Sequence, residues 1–172
     1  ELRYLNMVDD AMAGDRLIGM IQPTDGPPER PALAQVGCVG RITGFSETAD
    51  GRYLITLTGV CRFGLVEELA TGGPYRQVRA DFTAHEADLA PPDEEGADRG
   101  ALLDALGAYL EPRGLDIDWT AARAAPTEAL VNSLSMALPF EPAEKQALLE
   151  AEALAARAEV LLALLRIDAA DP

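Results

Sequence analysis

The stretch ADGRYLITLTGVCRFGLVEEL, residues 49–69, constrains the fold more than any other. It opens on Asp50-Gly51, a favoured hairpin turn pair. It then alternates: Tyr53, Ile55, Leu57, Cys61, Phe63 and Leu65 fall on one face, counting by two through Gly59. Arg52, Thr56, Thr58 and Arg62 fall on the other, mixed with Leu54 and Val60. That is the period of a strand with one buried face. The expectation is that Tyr53, Ile55, Leu57 and Phe63 are mostly buried and that Arg52 and Thr56 are more exposed. Gly59 stands in the apolar row without a side chain, as glycine does at a bulge or a sharp bend. A long strand bent there serves two sheets or turns a barrel corner.

The flanking segments supply the rest of a β-rich part. Residues 2–13 place Leu5, Val8 and Met12 at helical spacing, with Gly14 as a stop. RLIGMIQ, residues 16–22, reads as a short buried strand. PTDGPPERP, residues 23–31, is an exposed loop, because its four prolines break helix and central strand alike. VGCVGRITGF, residues 36–45, is a glycine-loosened strand, and PYRQVRADF, residues 74–82, is a weakly alternating edge strand.

At residues 86–98, EADLAPPDEEGAD, the composition shifts to an acidic, proline-containing connector, and beyond it Ala, Leu and Glu dominate. Leu102, Leu103, Leu106 and Leu110 mark a helix closed by Pro112 and Gly114. Asp118 is placed to cap a helix from Trp119. Pro126 and Thr127 start another, with Leu130, Val131, Leu134 and Met136 inside. Pro142 suits a first helical turn. Leu154, Ala158, Leu161 and Leu165 form the stripe of a bundle helix. The fold class is therefore α+β: a β-rich part over 1–85, the connector over 86–98 and a helical bundle over 99–172.

The net charge is −15, split into −5 over residues 1–89 and −10 over 90–172. Phosphate binding needs clustered Lys and Arg. This chain has one lysine, Lys145, and scattered arginines, so nucleic acid and anionic membranes are poor partners. No apolar run reaches the ~20 residues of a membrane helix, and no secretory leader is apparent. The first residue, Glu1, suggests a trimmed or missing start. Cys38 and Cys61 read as small buried hydrophobes in a reducing cytoplasm.

No catalytic constellation emerges. His85, the sole histidine, cannot build a multi-histidine metal site. Ser46, Ser133 and Ser135 lie outside any G-x-S-x-G elbow. Asp93, Glu94, Glu95 and Asp98 lack the order of a calcium loop. Asp116 and Asp118 read as a helix entry. The glycines at 37, 40 and 44 do not have dinucleotide spacing, and there is no phosphate-binding loop. Lys145 sits among charged residues. The expectation is no enzyme, no cofactor and no metal.

In combination, the segments resemble a known family. ELRYLNMVDDAMAGDRLIGMIQP is similar to the helix-then-strand opening of the Lon protease N-terminal domain. VGCVGRITGFSETADGRYLITLTGVCRFGLVEEL resembles its central hairpin, with Gly59 and Arg62 at its Gly-x-x-Arg positions. EKQALLEAEALAARAEVLLALL resembles its last helices. The family's apolar, proline-containing strand before the E-x-R-Y position is absent here. The resemblance implies a PUA-like, six-stranded pseudo-barrel followed by a helical bundle, in a stand-alone bacterial protein without ATPase and peptidase parts. It implies recognition of unfolded or apolar-rich protein segments, with Gly59 and Arg62 structural. Tyr4, Met20, Phe45 and Trp119 are the candidate peptide contacts. The alternatives are a PUA-like RNA binder and a small hydrolase using His85 and a serine. Client identity and homo-oligomerisation stay open.

Overall fold

The computed structural model describes residues 1–27, 29–91 and 96–170. The chain forms two compact units, Glu1–Pro91 and Pro92–Pro172.

The first unit opens with helix α1, Leu2–Ala13. Gly14 follows it, but the left-handed residue is Arg16, with φ of 59°. Its N–H donates to the Ala11 carbonyl, closing the helix end. Strand β1, Leu17–Met20, then pairs antiparallel with β2, Val36–Glu47, and β2 with β3, Tyr53–Leu69. The last strand, β4, Gln77–Asp81, pairs only with the end of β3, so the sheet order is β1-β2-β3-β4. The α+β class is the one the sequence indicated. The described residues form four named strands, against six implied by the resemblance, and a further bridge joins Pro23 to Leu33.

The length of β3 has a simple cause: it serves two neighbours in succession. Residues 53–64 pair with β2, and residues 64–69 pair with β4. Its apolar rhythm breaks where Val39 faces Cys61 but Gly40 faces Gly59, leaving Val60 as the extra residue of a bulge. Past that point Cys61, Arg62 and Phe63 are all buried. This corrects the placement of Arg62 on the exposed face.

Under the sheet, Val8, Ile18 and Ile42 form a small buried cluster. Tyr53, Ile55 and Leu57 pack against it but remain half-buried, less covered than their alternation suggested. The cluster is small, and these side chains lie at its margin. Arg52 and Thr56 are exposed, as expected. Tyr53 and Tyr75 donate their hydroxyls to Asp9 at 2.9 Å and Asp10 at 2.7 Å, tying α1 to β3 and to the approach of β4.

Beyond β4, residues Thr83–Leu89 wind into a 3-10 turn over β3. The first residues of the expected connector lie in this turn; Asp93, Glu94 and Glu95 fall outside the described residues.

The second unit is helical. Helix α2, Arg99–Leu110, is capped by Asp98, whose side chain accepts from Ala101 N–H. It ends in a short 3-10 turn, with Gly114 left-handed. Asp118 caps α3, Trp119–Ala124, in the same way, as the sequence indicated. Helices α4, Thr127–Ala137, and α5, Pro142–Glu150, follow, the second with a Glu141–Glu144 capping box. Helix α6, Leu154–Ala170, buries Leu154, Ala158, Leu161 and Leu165 on the expected stripe. They meet Leu102, Leu106, Tyr109, Val131 and Leu148 in one core. Met136, expected inside, is 72% exposed; Leu138 and Phe140, just past the helix end, are buried in that core.

Candidate functional site

Tyr4, Met20 and Phe45 are exposed on the first unit, at 49%, 56% and 44%. Tyr4 lies on α1, with the Arg3 guanidinium 4.8 Å from its ring centre. Met20 ends β1. Phe45 meets Tyr53 edge to face at 5.0 Å. The ring contacts of Tyr4 and Phe45 thus go to immediate neighbours rather than to each other. Trp119 belongs to the second unit. It is half-buried against the bundle core and helps line an open groove of about 440 Å³ with Leu103, Asp104, Gly107 and Arg123.

The first unit has a groove of its own, about 360 Å³ in volume, which the sequence reading did not identify. Met7, Asp10 and Ala11 of α1 form one wall. Leu17, Ile18 and Gly19 of β1 form its edge, and Tyr75 and Arg76, just before β4, stand on the other side. Helix α1, strand β1 and the approach to β4 therefore border one groove. Periodicity carries no signal for such a site, since it depends on residues 56 or more positions apart meeting in space.

One charged cluster borders this groove, and a second lies between β3 and the 83–89 turn. Glu68 accepts from Nε and Nη2 of Arg76, at 2.8 and 2.7 Å, and pairs with Arg30 at 3.0 Å. Arg76 also reaches the Pro31 carbonyl, pinning the proline-rich loop. The Arg76 hydrogen bonds, then Arg30, hold the Glu68 carboxyl down at about 2. In the second cluster Asp88 accepts from Nε and Nη2 of Arg62 at 2.9 and 2.7 Å, and also from the Arg62 backbone N–H at 2.9 Å. The Arg62 side chain is 6% exposed, and its pKa is raised by the Asp88 hydrogen bonds.

The nucleophile candidates are poorly disposed for chemistry. Burial raises the pKa of both free thiols, so at neutral pH they are protonated and weakly reactive. The Cys61 thiol donates to the Arg62 and His85 carbonyls. Ser135 donates to the Val131 carbonyl, and Lys145 to that of Met136. Among the described residues, no group of three or more His, Cys, Asp or Glu side chains is arranged to hold a metal ion. Among the same residues, no helix is long and apolar enough to cross a membrane. Gly59 has an ordinary backbone, and a Cβ there would meet only Cys38 Sγ at 3.8 Å.

Residues 1–166 match the family described as the ATP-dependent protease La (LON) substrate-binding domain. A Lon protease of Flavobacterium johnsoniae is 26% identical over 176 residues, covering 96% of this chain and 21% of that protein. Lon protease 2 of Myxococcus xanthus is 26% identical over 179 residues, covering 95% and 20%. The chain thus spans about a fifth of the length of these relatives. The crystal structure of a Lon N-terminal domain protein from Xanthomonas campestris superposes with a TM-score of 0.63 at 22% identity, covering 95% of this chain and 84% of the other. The N-terminal domain of the Mycobacterium avium complex Lon protease gives 0.59 at 18% identity, covering 92% and 82%. At these identities the two structures speak to the fold alone.

Proposed function

The chain belongs to the family of Lon substrate-binding domains, and from that premise we propose that it recognises unfolded or apolar-rich polypeptide segments and catalyses nothing itself. The observation that carries this reading is the family match across residues 1–166. The match to the relatives covers only about a fifth of their length, so the activity of the whole proteases is not transferred to this chain. The surface supports the same reading. Leu17, at an open groove, and Met20 and Tyr4 elsewhere on the first unit present exposed apolar groups, and such groups suit weak, sequence-tolerant binding. On this proposal binding requires no nucleotide, the working compartment is the cytoplasm, and Arg62 is structural.

The test is a polarisation titration of a labelled, chemically unfolded and alkylated protein against the chain, with and without ATP. Weak binding that ATP leaves unchanged is expected. No binding at about 1 mM chain, where a ΔG near −4 kcal/mol still registers, would sink the recognition reading. Binding that appears only with ATP would sink the claim of nucleotide independence.

A further inference from the structure

We propose that the groove between α2 and α3 docks a basic amphipathic helix of a partner protein. This surface lies within the second unit and stands independently of the recognition reading above.

The outer face of α2 makes the argument. Asp104, Gly107, Ala108 and Glu111 are spaced i, i+3, i+4 and i+7, and all four line the groove. Glu111, the residue that ends α2, still has helical backbone angles. At 3.6 residues per turn this spacing is one stripe of a helix. Leu102, Leu106, Tyr109 and Leu110 take the opposite face into the bundle core. The outward stripe therefore reads acid, small, small, acid.

Packing within the bundle does not impose the small residues. Ala108 is exposed, and a Cβ on Gly107 would meet only the Trp119 ring, at an ordinary 3.7 Å. Glycine inside a helix weakens it relative to alanine, so the bundle alone gives no reason for Gly107. What the two small residues provide is a hollow. The groove of about 440 Å³ lies over them, with Trp119 and Arg123 of α3 on its other side.

Charge and spacing select the occupant. Asp104 and Glu111 are exposed, and among the described residues neither takes part in an ion pair. Two turns of helix separate them by about 10 Å along the axis. Arginines or lysines seven positions apart on a second helix have the same spacing. The residues three and four positions after the first cation then arrive over Gly107 and Ala108. Small residues there let the helices approach closely, and leucines at those positions reach the Trp119 ring, as in helix-in-groove recognition. Arg123 is the one cation of the lining, against two carboxylates, and residues 90–172 carry −10 in all. That field draws in a basic partner and repels an acidic one. A second copy of this chain does not fit. Among the described helices only α6 carries two cations, Arg157 and Arg166, nine positions apart, and Arg157 is held by the Leu148 carbonyl and Asn132 Oδ1.

The probe is a labelled, tryptophan-free, alanine-based peptide of fifteen residues, stapled as a helix, with arginine at positions 4 and 11 and leucine at 7 and 8. One analogue carries glutamate for arginine, and another moves the second arginine from position 11 to 9, off the stripe. On binding the parent peptide, polarisation and the Trp119 emission maximum should change together and saturate together. Each analogue should bind at least tenfold more weakly. Asp104→Asn with Glu111→Gln should weaken the parent peptide at least tenfold, and so should Ala108→Leu, which fills the hollow from an exposed position. Glu47→Gln with Glu159→Gln removes the same charge at exposed positions elsewhere and should leave affinity unchanged. No binding at about 1 mM, where a ΔG near −4 kcal/mol still registers, would overturn the proposal. So would binding without a change at Trp119, equal affinity for the moved-arginine analogue, or equal losses in the two neutralised pairs, which would mean attraction by overall charge. Should Ala108→Leu fail to fold, the neutralised pairs decide. Sedimentation as a dimer that Ala108→Leu dissociates would assign the groove to a second copy of the chain, and would also overturn it.

Discussion

The ring of Phe63 occupies the space where Gly37 would carry a side chain. A Cβ on Gly37 would sit 2.5 Å from Phe63 Cζ and 2.7 Å from the Met20 carbonyl oxygen. The two residues face each other across β2 and β3, so the glycine makes room and the ring fills it. The ring also lies over Gly19, 3.5 Å from its Cβ position, which places it beneath β1. Gly37→Ala should therefore destabilise the chain by about 1–3 kcal/mol through overpacking. Phe63, 1% exposed, should cost about 3–5 kcal/mol as Phe63→Ala. Gly59→Ala should cost under about 1 kcal/mol, given its ordinary backbone and open surroundings. Urea melts of the three variants check the order. A Gly59→Ala loss as large as that of Gly37→Ala would show that the bend itself needs glycine.

The Arg62–Asp88 pair gives a second prediction. Asp88 serves three Arg62 donors, one of them a backbone N–H, and the pair is largely dry at 6% and 21% side-chain exposure. Removing one partner leaves the other charge stranded. Asp88→Ala or Arg62→Ala should cost about 3–5 kcal/mol, while the double replacement Arg62→Met with Asp88→Leu should recover much of the loss. Chemical denaturation of the single and double variants measures the coupling. Single variants within about 1 kcal/mol of the parent would mean that the pair is not a clamp on the 83–89 turn.

How far the fold could be read from sequence depended on how local its causes are. The stripe Leu154, Ala158, Leu161 and Leu165 was legible because helical period and burial coincide over many turns. The Asp118 cap was legible because its partner, Ala121, lies three residues away. Arg62 was misplaced because one extra residue, Val60, shifts the phase while leaving a plausible alternation on either side. Asp88 read only as part of the acidic connector, since its partner is 26 residues distant and the pairing exists only once the 3-10 turn folds over β3. Among the candidate contacts, exposure of Tyr4, Met20 and Phe45 could not be told from burial by residue type, and the groove beside β1 had no sequence signal at all.

Acid should loosen the loop that Arg76 pins. Glu68 titrates at about 2 in the folded chain, below its ordinary 4.5, chiefly through the Arg76 hydrogen bonds. A group depressed on folding adds stability above its ordinary value and loses it as pH falls from about 4.5 through about 2. Carboxyl carbon shifts followed by NMR should place the Glu68 midpoint near 2, and Arg76→Ala should move it up towards 4.5. The pair is only half-buried, so salt should weaken the effect in part. A midpoint unmoved by Arg76→Ala would remove that guanidinium as the cause.

The two grooves can be told apart by the single tryptophan. Trp119 lines the groove of the second unit, with Arg123 5.9 Å from its ring centre, and no aromatic of this strength of emission lies elsewhere in the chain. A ligand seated beside Trp119 would change the ring's solvation and shift its emission. The exposed Tyr4, Leu17 and Met20 all belong to the first unit. Titrating a labelled, tryptophan-free unfolded protein should therefore leave the Trp119 emission maximum unchanged while polarisation rises. Arg123→Ala, which alters the second groove, should not affect affinity. A shift in Trp119 emission that saturates together with polarisation, and a loss of affinity in Arg123→Ala, would move the recognition surface from the first unit to the α2–α3 groove.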